Sequence, residues 1–274
     1  MKIGNREFDV EHRTYVMGIL NCTPDSFSDG GKFNHIDTAL KHVEAMIRDG
    51  ADIIDVGGES TRPGYTLISD EEEIDRVVPV IEKIKGNFDT TISVDTYKSG
   101  VALQAIEAGA DLINDIWGCK FDSKMAQVIA EKQVACCLMH NRNLEQTPYQ
   151  NKQNIMPEVL ADLGQSIELA RAAGVQPDKI ITDPGIGFGK TLEDNLFVMN
   201  HVEQLKTLGY PVLLVTSKKS MIVLTLNLPV DERLEGTLTT TVMGVMKGCA
   251  FIRVHDVAAN KRAVMMTEAI LGAR

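Results

Sequence analysis

From Tyr15 to Leu20 the chain is an apolar run, Y-V-M-G-I-L, which stops at Asn21 and gives way to C-T-P-D-S-F-S-D-G-G. A short apolar run without polar alternation suits a strand covered on both faces, as in a parallel sheet. The Thr-Pro and Gly-Gly pairs cannot extend it and predict a polar loop from Asn21 to Gly31 that carries Phe27 and Asp29. The alternation then repeats along the chain. Apolar runs at Ile53–Gly57, Thr91–Asp95, Leu112–Asn114, Val134–Met139, Ile180–Thr182, Val212–Thr216 and Ala250–Val254 predict further strands. Between them, apolar positions at helical spacing predict helices at Ile36–Asp49, Glu71–Ile84, Ser99–Ala108, Lys124–Glu131, Met156–Ala173, Asn195–Leu208, Leu238–Lys247 and Ala258–Leu271, with Gly50, Gly109 and Gly174 as stops.

Eight strands alternating with helices are what an α/β (β/α)8 TIM barrel requires. Ahead of it, Lys2-Ile3, the Gly4-Asn5 turn and Glu7–Val10 predict a short N-terminal β-hairpin that closes the bottom. An open doubly wound sheet is the alternative, but no G-x-G-x-x-G opens a helix after the first strand. Nothing of low complexity divides residues 1–274, so one barrel domain is expected.

Composition narrows the function classes. At 44% hydrophobic residues, with every apolar run short and interrupted by charge, the chain is expected to be soluble and without membrane contact. A net charge of -10 argues against nucleic-acid partners, which need clustered Lys and Arg. The N-terminus lacks a basic head followed by an apolar core, and five cysteines without metal-ligand spacing imply reduced thiols, so the expected location is the cytoplasm.

The predicted strand ends bring Asn21, Thr61, Asp95, Asn114, Met139, Asp183, Lys219, Arg253 and His255 to one mouth. Alone, each Asp or Asn reads as a turn former or cap, Met139 as core, Lys219 as solvated charge and His255 as a satisfied polar residue. Together, the carboxylates and amides suit a flat nitrogen heterocycle, and Arg253, His255 and Lys219 suit an anion. The motifs N-C-T-P-D-S-F-S-D-G-G, G-G-E-S-T-R-P-G, I-S-V-D-T, G-A-D-L-I-N-D-I, D-P-G-I-G-F-G-K-T and I-R-V-H-D-V occur in one order from the first strand to the last. They resemble the signatures of the dihydropteroate synthase family.

The resemblance implies a transferase of folate biosynthesis, a sulfonamide target, that joins 6-hydroxymethyl-7,8-dihydropterin diphosphate to 4-aminobenzoate with loss of pyrophosphate. It implies a pterin held by Asp95, Asn114, Met139, Asp183, Lys219 and Arg253, and a diphosphate near Asn21, Thr61, Arg253 and His255. Mg2+ would be bound through Asn21, phosphate oxygens and water. The 4-aminobenzoate pocket would comprise Phe27, Thr61, Arg62, Pro63, Phe188, Lys219 and Ser220. Catalysis would rest on Asn21, Asp29, Lys219, Arg253 and His255, with closure of the first two loops excluding water. The family resemblance also implies a homodimer.

The chain departs from the family pattern after the seventh strand, where V-T-S-K-K-S-M-I-V places Val215, Lys218 and Val223 at positions usually held by a small residue, Arg and Gly. Trp117 is larger than the usual residue after N-D-I, and barrel-mouth packing is the favoured reading of it. The alternatives are a pterin-binding relative with reduced or lost turnover and a methyltetrahydrofolate-dependent corrinoid methyltransferase, which shares this barrel without needing the Phe27 loop or an anion site at Arg253 and His255.

Overall fold

The computed structural model describes residues 1–23, 32–59, 67–142, 154–229 and 232–273. A two-stranded antiparallel hairpin, β1 (Lys2–Ile3) and β2 (Arg6–Glu7), precedes eight strands: β3 (Tyr15–Asn21), β4 (Ile53–Gly57), β5 (Thr91–Asp95), β6 (Leu112–Asp115), β7 (Ala135–Met139), β8 (Ile180–Asp183), β9 (Leu213–Val215) and β10 (Phe251–Val254). All eight are parallel, in the order β8-β7-β6-β5-β4-β3-β10-β9. Val212, just ahead of β9, forms a parallel bridge to Thr182 in β8, so the sheet nearly closes on itself. The expected barrel is thus present, and the open sheet is not.

Every residue of β4, β5, β6, β7 and β8 is buried, which is why these strands read as continuous apolar runs. Two packed layers result. Met17, Ile53, Leu112, Ala135, Cys137, Ile181, Leu213 and Phe251 fill the barrel interior together with Ile3 and Phe8 of the hairpin segment. Phe8 meets Tyr15 edge-on at 4.8 Å between centroids and lies 5.8 Å from Phe251, so the N-terminal segment plugs the bottom as its sequence position implies. The outward-facing strand residues pack beneath the helices: α1 (Lys32–Arg48), α2 (Asp70–Asn87), α3 (Ser99–Ala108), α4 (Met125–Lys132), α5 (Met156–Ala173), α6 (Leu192–Asn200), α7 (Ser220–Leu226), α8 (Leu234–Met246) and α9 (Val257–Gly272). No described helix is long and apolar enough to cross a membrane.

Three expectations need correction. The predicted helix Asn195–Leu208 is divided: α6 ends at Asn200 and Val202–Leu208 is a 3-10 segment. The break falls at His201, whose φ of -126° is not helical; its ring stacks 4.1 Å from that of Phe197 and its Nδ1 meets the Phe197 carbonyl. The helix predicted from Leu238 starts four residues earlier, at Leu234, because its threonines are core residues. Thr237 and Thr240 satisfy their hydroxyls on the carbonyls of Arg233 and Thr237, and Thr241 bonds Asn260 at 2.7 Å, so residues that read as polar surface face inward. Finally, α7 was not foreseen. It has seven residues, too few for a periodic signal, and its start at Lys219-Ser220 reads as loop.

Candidate active site

The parallel register lays strand ends side by side. Asn21 is level with Gly57, Gly57 with Asp95, Asp95 with Asn114, and Met139 with Asp183. A Cβ at Gly57 would lie 3.7 Å from Cβ of Asp95 and 3.9 Å from Oδ1 of Asn21, so the missing side chain brings the Asn21 amide and the Asp95 carboxylate to one gap. Arg253 begins deeper, level with Met17 and Val215, and its length carries the guanidinium upward. Its Nε donates to Asp55 Oδ2 at 2.5 Å and its Nη2 to Asp95 Oδ2 at 2.7 Å. The Asn114 amide donates to the same Asp55 oxygen at 3.4 Å.

A small cavity opens above this group, lined by Asp95, Asn114, Met139, Asp183, Lys219 and Arg253 with Ile116, Ile186, Phe188 and Val215. That mixture, apolar walls with a few convergent polar groups, belongs to small-molecule sites. Oδ1 of Asp183 accepts the Gly185 N–H at 2.7 Å. Oδ1 of Asp95 is buried without a hydrogen-bond partner among the described residues, and Asp95 is one of the residues lining the cavity. Lys219 spans the side of the cavity, its Nζ 4.2 Å from the centroid of the Phe188 ring.

The electrostatics favour ligands that donate to carboxylates. Burial pushes Asp183 up to about 6, against the Gly185 N–H and the charges of Lys219, Lys190 and Arg253. Burial likewise raises Asp95, with Arg253 opposing it. Arg253 stays protonated because the attraction of Asp55 and Asp95 outweighs its own burial. At the rim, Ser217 Oγ lies 2.9 Å from Nδ1 of His255 and accepts the His255 N–H at 3.2 Å, fixing the histidine beside the end of β10.

The structure therefore brings together Asp95, Asn114, Met139, Asp183, Lys219, Phe188 and Arg253 in one cavity, as expected. Asn21 stands at the end of β3 beside it, His255 follows β10, and Ser220 is exposed as the first residue of α7. Phe27, Asp29, Thr61, Arg62 and Pro63 lie outside the described residues. Trp117 packs near Phe121, 6.0 Å between centroids, beside Met139 and Ile116, in keeping with its reading as mouth packing.

Two members of the site escaped the sequence reading. Asp55 sits inside I-I-D-V-G and is fully buried; a lone carboxylate in an otherwise apolar buried strand was the available signal. Ser217 was hidden within T-S-K-K-S, where its neighbours carry the charge.

Of the seventh-strand departures, Val215 is the one among the residues lining the cavity. Lys218 has a left-handed φ of 57°, pairs with Asp256 at 3.2 Å and receives Arg233 on its carbonyl; Val223 is half-buried in α7.

Residues 17–255 match the family described as pterin binding enzyme. A dihydropteroate synthase of Clostridium beijerinckii is 63% identical over 272 residues, covering 99% of each chain. The solved dihydropteroate synthase of Clostridium difficile, determined in the presence of pteroic acid, superposes with a TM-score of 0.92 at 48% identity over 96% of this chain and 99% of its own. That of Yersinia pestis with a sulfonamide drug does so at 0.92 and 40% identity over 100% and 99%. With a profile match across nearly the whole barrel and relatives this similar end to end, the chain belongs to the dihydropteroate synthase family of pterin-binding enzymes.

Proposed function

We infer that this chain condenses 6-hydroxymethyl-7,8-dihydropterin diphosphate with 4-aminobenzoate to give 7,8-dihydropteroate and pyrophosphate. The observation that carries the reading is the convergence of Asp95, Asn114 and Asp183 with Arg253 on one cavity at the strand ends. A pterin has a guanidine-like edge that donates two hydrogen bonds, and an ionised Asp183 offers it two acceptor oxygens. Asn114 and Asp95 meet the remaining ring polar groups, Met139 and Ile116 supply flat apolar contact, and Lys219 and Arg253 close the side.

The methylene C–O bond breaks first and the electron pair leaves with the diphosphate. Arg253 and His255, with Asn21 and Thr61, stabilise that developing charge, which is the main catalytic contribution. The amine of 4-aminobenzoate then forms the C–N bond from its lone pair and loses a proton. Phe27, Thr61, Arg62, Pro63, Phe188, Lys219 and Ser220 hold this second substrate, and Asp29 belongs to the loop that shields the cation from water.

Mg2+ fits the donors present in one way. Among the described residues no cluster of three or more His, Cys, Asp or Glu side chains can hold a metal, while the Asn21 amide oxygen is a hard donor at the mouth. An ion held by Asn21, two or more diphosphate oxygens and water would neutralise the leaving group, and would bind only with that substrate. The five described cysteines are all buried free thiols, in keeping with a reducing cytoplasm. Exposed Leu224, Met246, Met265, Met266 and Ile270 on α7, α8 and α9 form apolar surface that a second copy of the chain would cover, and light scattering on the purified protein measures whether the mass is that of a homodimer.

Pyrophosphate release with both substrates present tests the function. It is expected only when the pterin diphosphate and 4-aminobenzoate are supplied together; a protein that binds pterin without release is the inactive relative, and methyl transfer from methyltetrahydrofolate would mark the corrinoid-dependent enzyme.

The departures in and after β9 give a further expected result. A side chain crowding a filled site costs about 1–3 kcal/mol. Val215→Gly, Lys218→Arg and Val223→Gly combined are expected to lower KM for 4-aminobenzoate and to tighten sulfonamide inhibition, with Val215→Gly alone also changing pterin affinity. Steady-state kinetics equal to the parent's in both the triple variant and Val215→Gly would show the substitutions to be silent.

A further inference from the structure

The segment from Asp183 to Lys190 is a tight turn that supplies two parts of the cavity, the Asp183 carboxylate at its start and the Phe188 ring near its end. It is clamped from three sides. On the β7 side the backbone comes so close that a Cβ at Gly185 would lie 1.9 Å from the His140 carbonyl oxygen, and one at Gly189 2.1 Å from that of Arg142; both glycines have left-handed φ, +67° and +56°. From α6, Asn195 Oδ1 accepts the Gly187 N–H at 2.7 Å. The third clamp is Lys190. Its Nζ turns back to donate to the carbonyl of Gly185 at 2.8 Å and to that of Phe188 at 3.2 Å, spanning the turn across its open side.

An ammonium is an expensive group to enclose, and here burial pulls the pKa of Lys190 down to about 7 although Asp183, Asp162, Glu158 and Asp194 attract it. Either protonation state keeps enough N–H groups to serve both carbonyls. No part of the reaction derived above uses this side chain.

We propose that Lys190 is a positioning residue of the reaction, one that holds the Gly185–Phe188 turn so that Asp183 faces the pterin and Phe188 faces 4-aminobenzoate. The proposal rests on the dihydropteroate synthase reading for the identity of the two ligands. Its physical content is that the two hydrogen bonds fix the relative placement of the pterin acceptor and the wall of the second pocket. Loss of both therefore affects the two substrates together, unlike a change at either contact residue.

Lys190→Met keeps most of the volume and removes the donors. It is expected to raise KM for both substrates by about ten-fold or more, the scale of losing two hydrogen bonds from a buried donor. Thr191→Ala is the control. Thr191 caps α6 by accepting the Asp194 N–H at 3.1 Å and touches neither carbonyl, so its loss weakens the helix that carries Asn195 while leaving both Lys190 hydrogen bonds in place. KM in this variant is expected to stay within about two-fold of the parent. Should Lys190→Met fail to fold, Lys190→Gln carries the test, since its shorter amide reaches one carbonyl and not both; its KM values are expected to rise by a smaller factor. Unchanged KM values in a folded Lys190 variant would overturn the proposal, as would equal rises in Thr191→Ala. Calorimetric titration with a pterin lacking phosphate reads the Asp183 half of the effect independently of turnover, so an absence of pyrophosphate release from the parent would refute the assigned activity without deciding the role of Lys190.

Discussion

Asp183→Asn is expected to weaken pterin binding by about a hundred-fold or more while leaving the fold intact. Two hydrogen bonds to a charged acceptor contribute about 1.5–3 kcal/mol each, and the amide replaces one acceptor with a donor aimed at a ring edge that already donates. The variant keeps the contact that organises the turn, because an amide oxygen still accepts the Gly185 N–H that Oδ1 of Asp183 accepts at 2.7 Å. Its stability has a predictable sign. Burial raises the folded pKa of Asp183 to about 6, above the unfolded value of about 3.9, so its contribution is fully present below about pH 4 and is lost as pH rises through 6. A neutral amide escapes that loss, so the ligand-free variant should melt at a higher temperature than the parent at pH 7 while binding pterin far more weakly.

The same group sets a pH dependence. Binding through the ionised carboxylate falls as pH drops below about 6, to about one tenth of its neutral value at pH 5. Calorimetry at pH 5 and pH 7 is expected to show this for the parent and a flat profile for Asp183→Asn. A parent affinity independent of pH, or an unchanged affinity in the variant, would remove Asp183 from the pterin role.

How far the chain disclosed this site follows from which residues act through their strand. Asp95, Asn114 and Asp183 each end an apolar run, where the switch from buried to polar is visible, and the strands Ile53–Gly57 and Thr91–Asp95 and the helices Ser99–Ala108 and Met156–Ala173 run over the predicted residues. Asp55 was invisible as a functional group because it lies within a strand and acts on Arg253, a residue 198 positions away. The sheet order makes them neighbours by setting β4 and β10 on either side of β3. Ser217 and Lys190 act on a histidine and on backbone carbonyls, partners that no side-chain pattern encodes. The threonines of α8 show the converse: the buried hydroxyls of Thr237 and Thr240 are satisfied on carbonyls one turn back, so polarity misreported the packed face.

The Arg253–Asp55–Asp95 group carries the second large effect, because one cation there serves two buried carboxylates. Asp55 is fully buried and its Oδ1 has no hydrogen-bond partner among the described residues, so Arg253 is the strongest compensation it has. Removing one member of a buried pair costs about 3–5 kcal/mol, most of it the uncompensated charge that remains. Arg253→Met is therefore expected to lose stability of that order at neutral pH, and to lose less as the medium is acidified. The sign follows from Asp95: burial already raises its folded pKa above the unfolded one, and without the opposing guanidinium it rises further, so the ionised form penalises folding more at high pH and protonation relieves the penalty. Adding Asp55→Asn to Arg253→Met should recover part of the stability, whereas activity should not return. In the proposed reaction the guanidinium of Arg253 donates to developing charge, and loss of such a donor typically lowers turnover about 10²–10³-fold. Its affinity for a pterin without phosphate should fall much less than its affinity for the diphosphate substrate. His255→Ala, outside the buried group, is expected to show the same preference for the diphosphate ligand with little loss of stability. Melting curves across pH 5 to 8 and paired titrations with the two pterins decide it: equal losses for both ligands would detach Arg253 and His255 from the diphosphate, and a stability deficit that does not shrink in acid would mean that the guanidinium holds the barrel by packing alone.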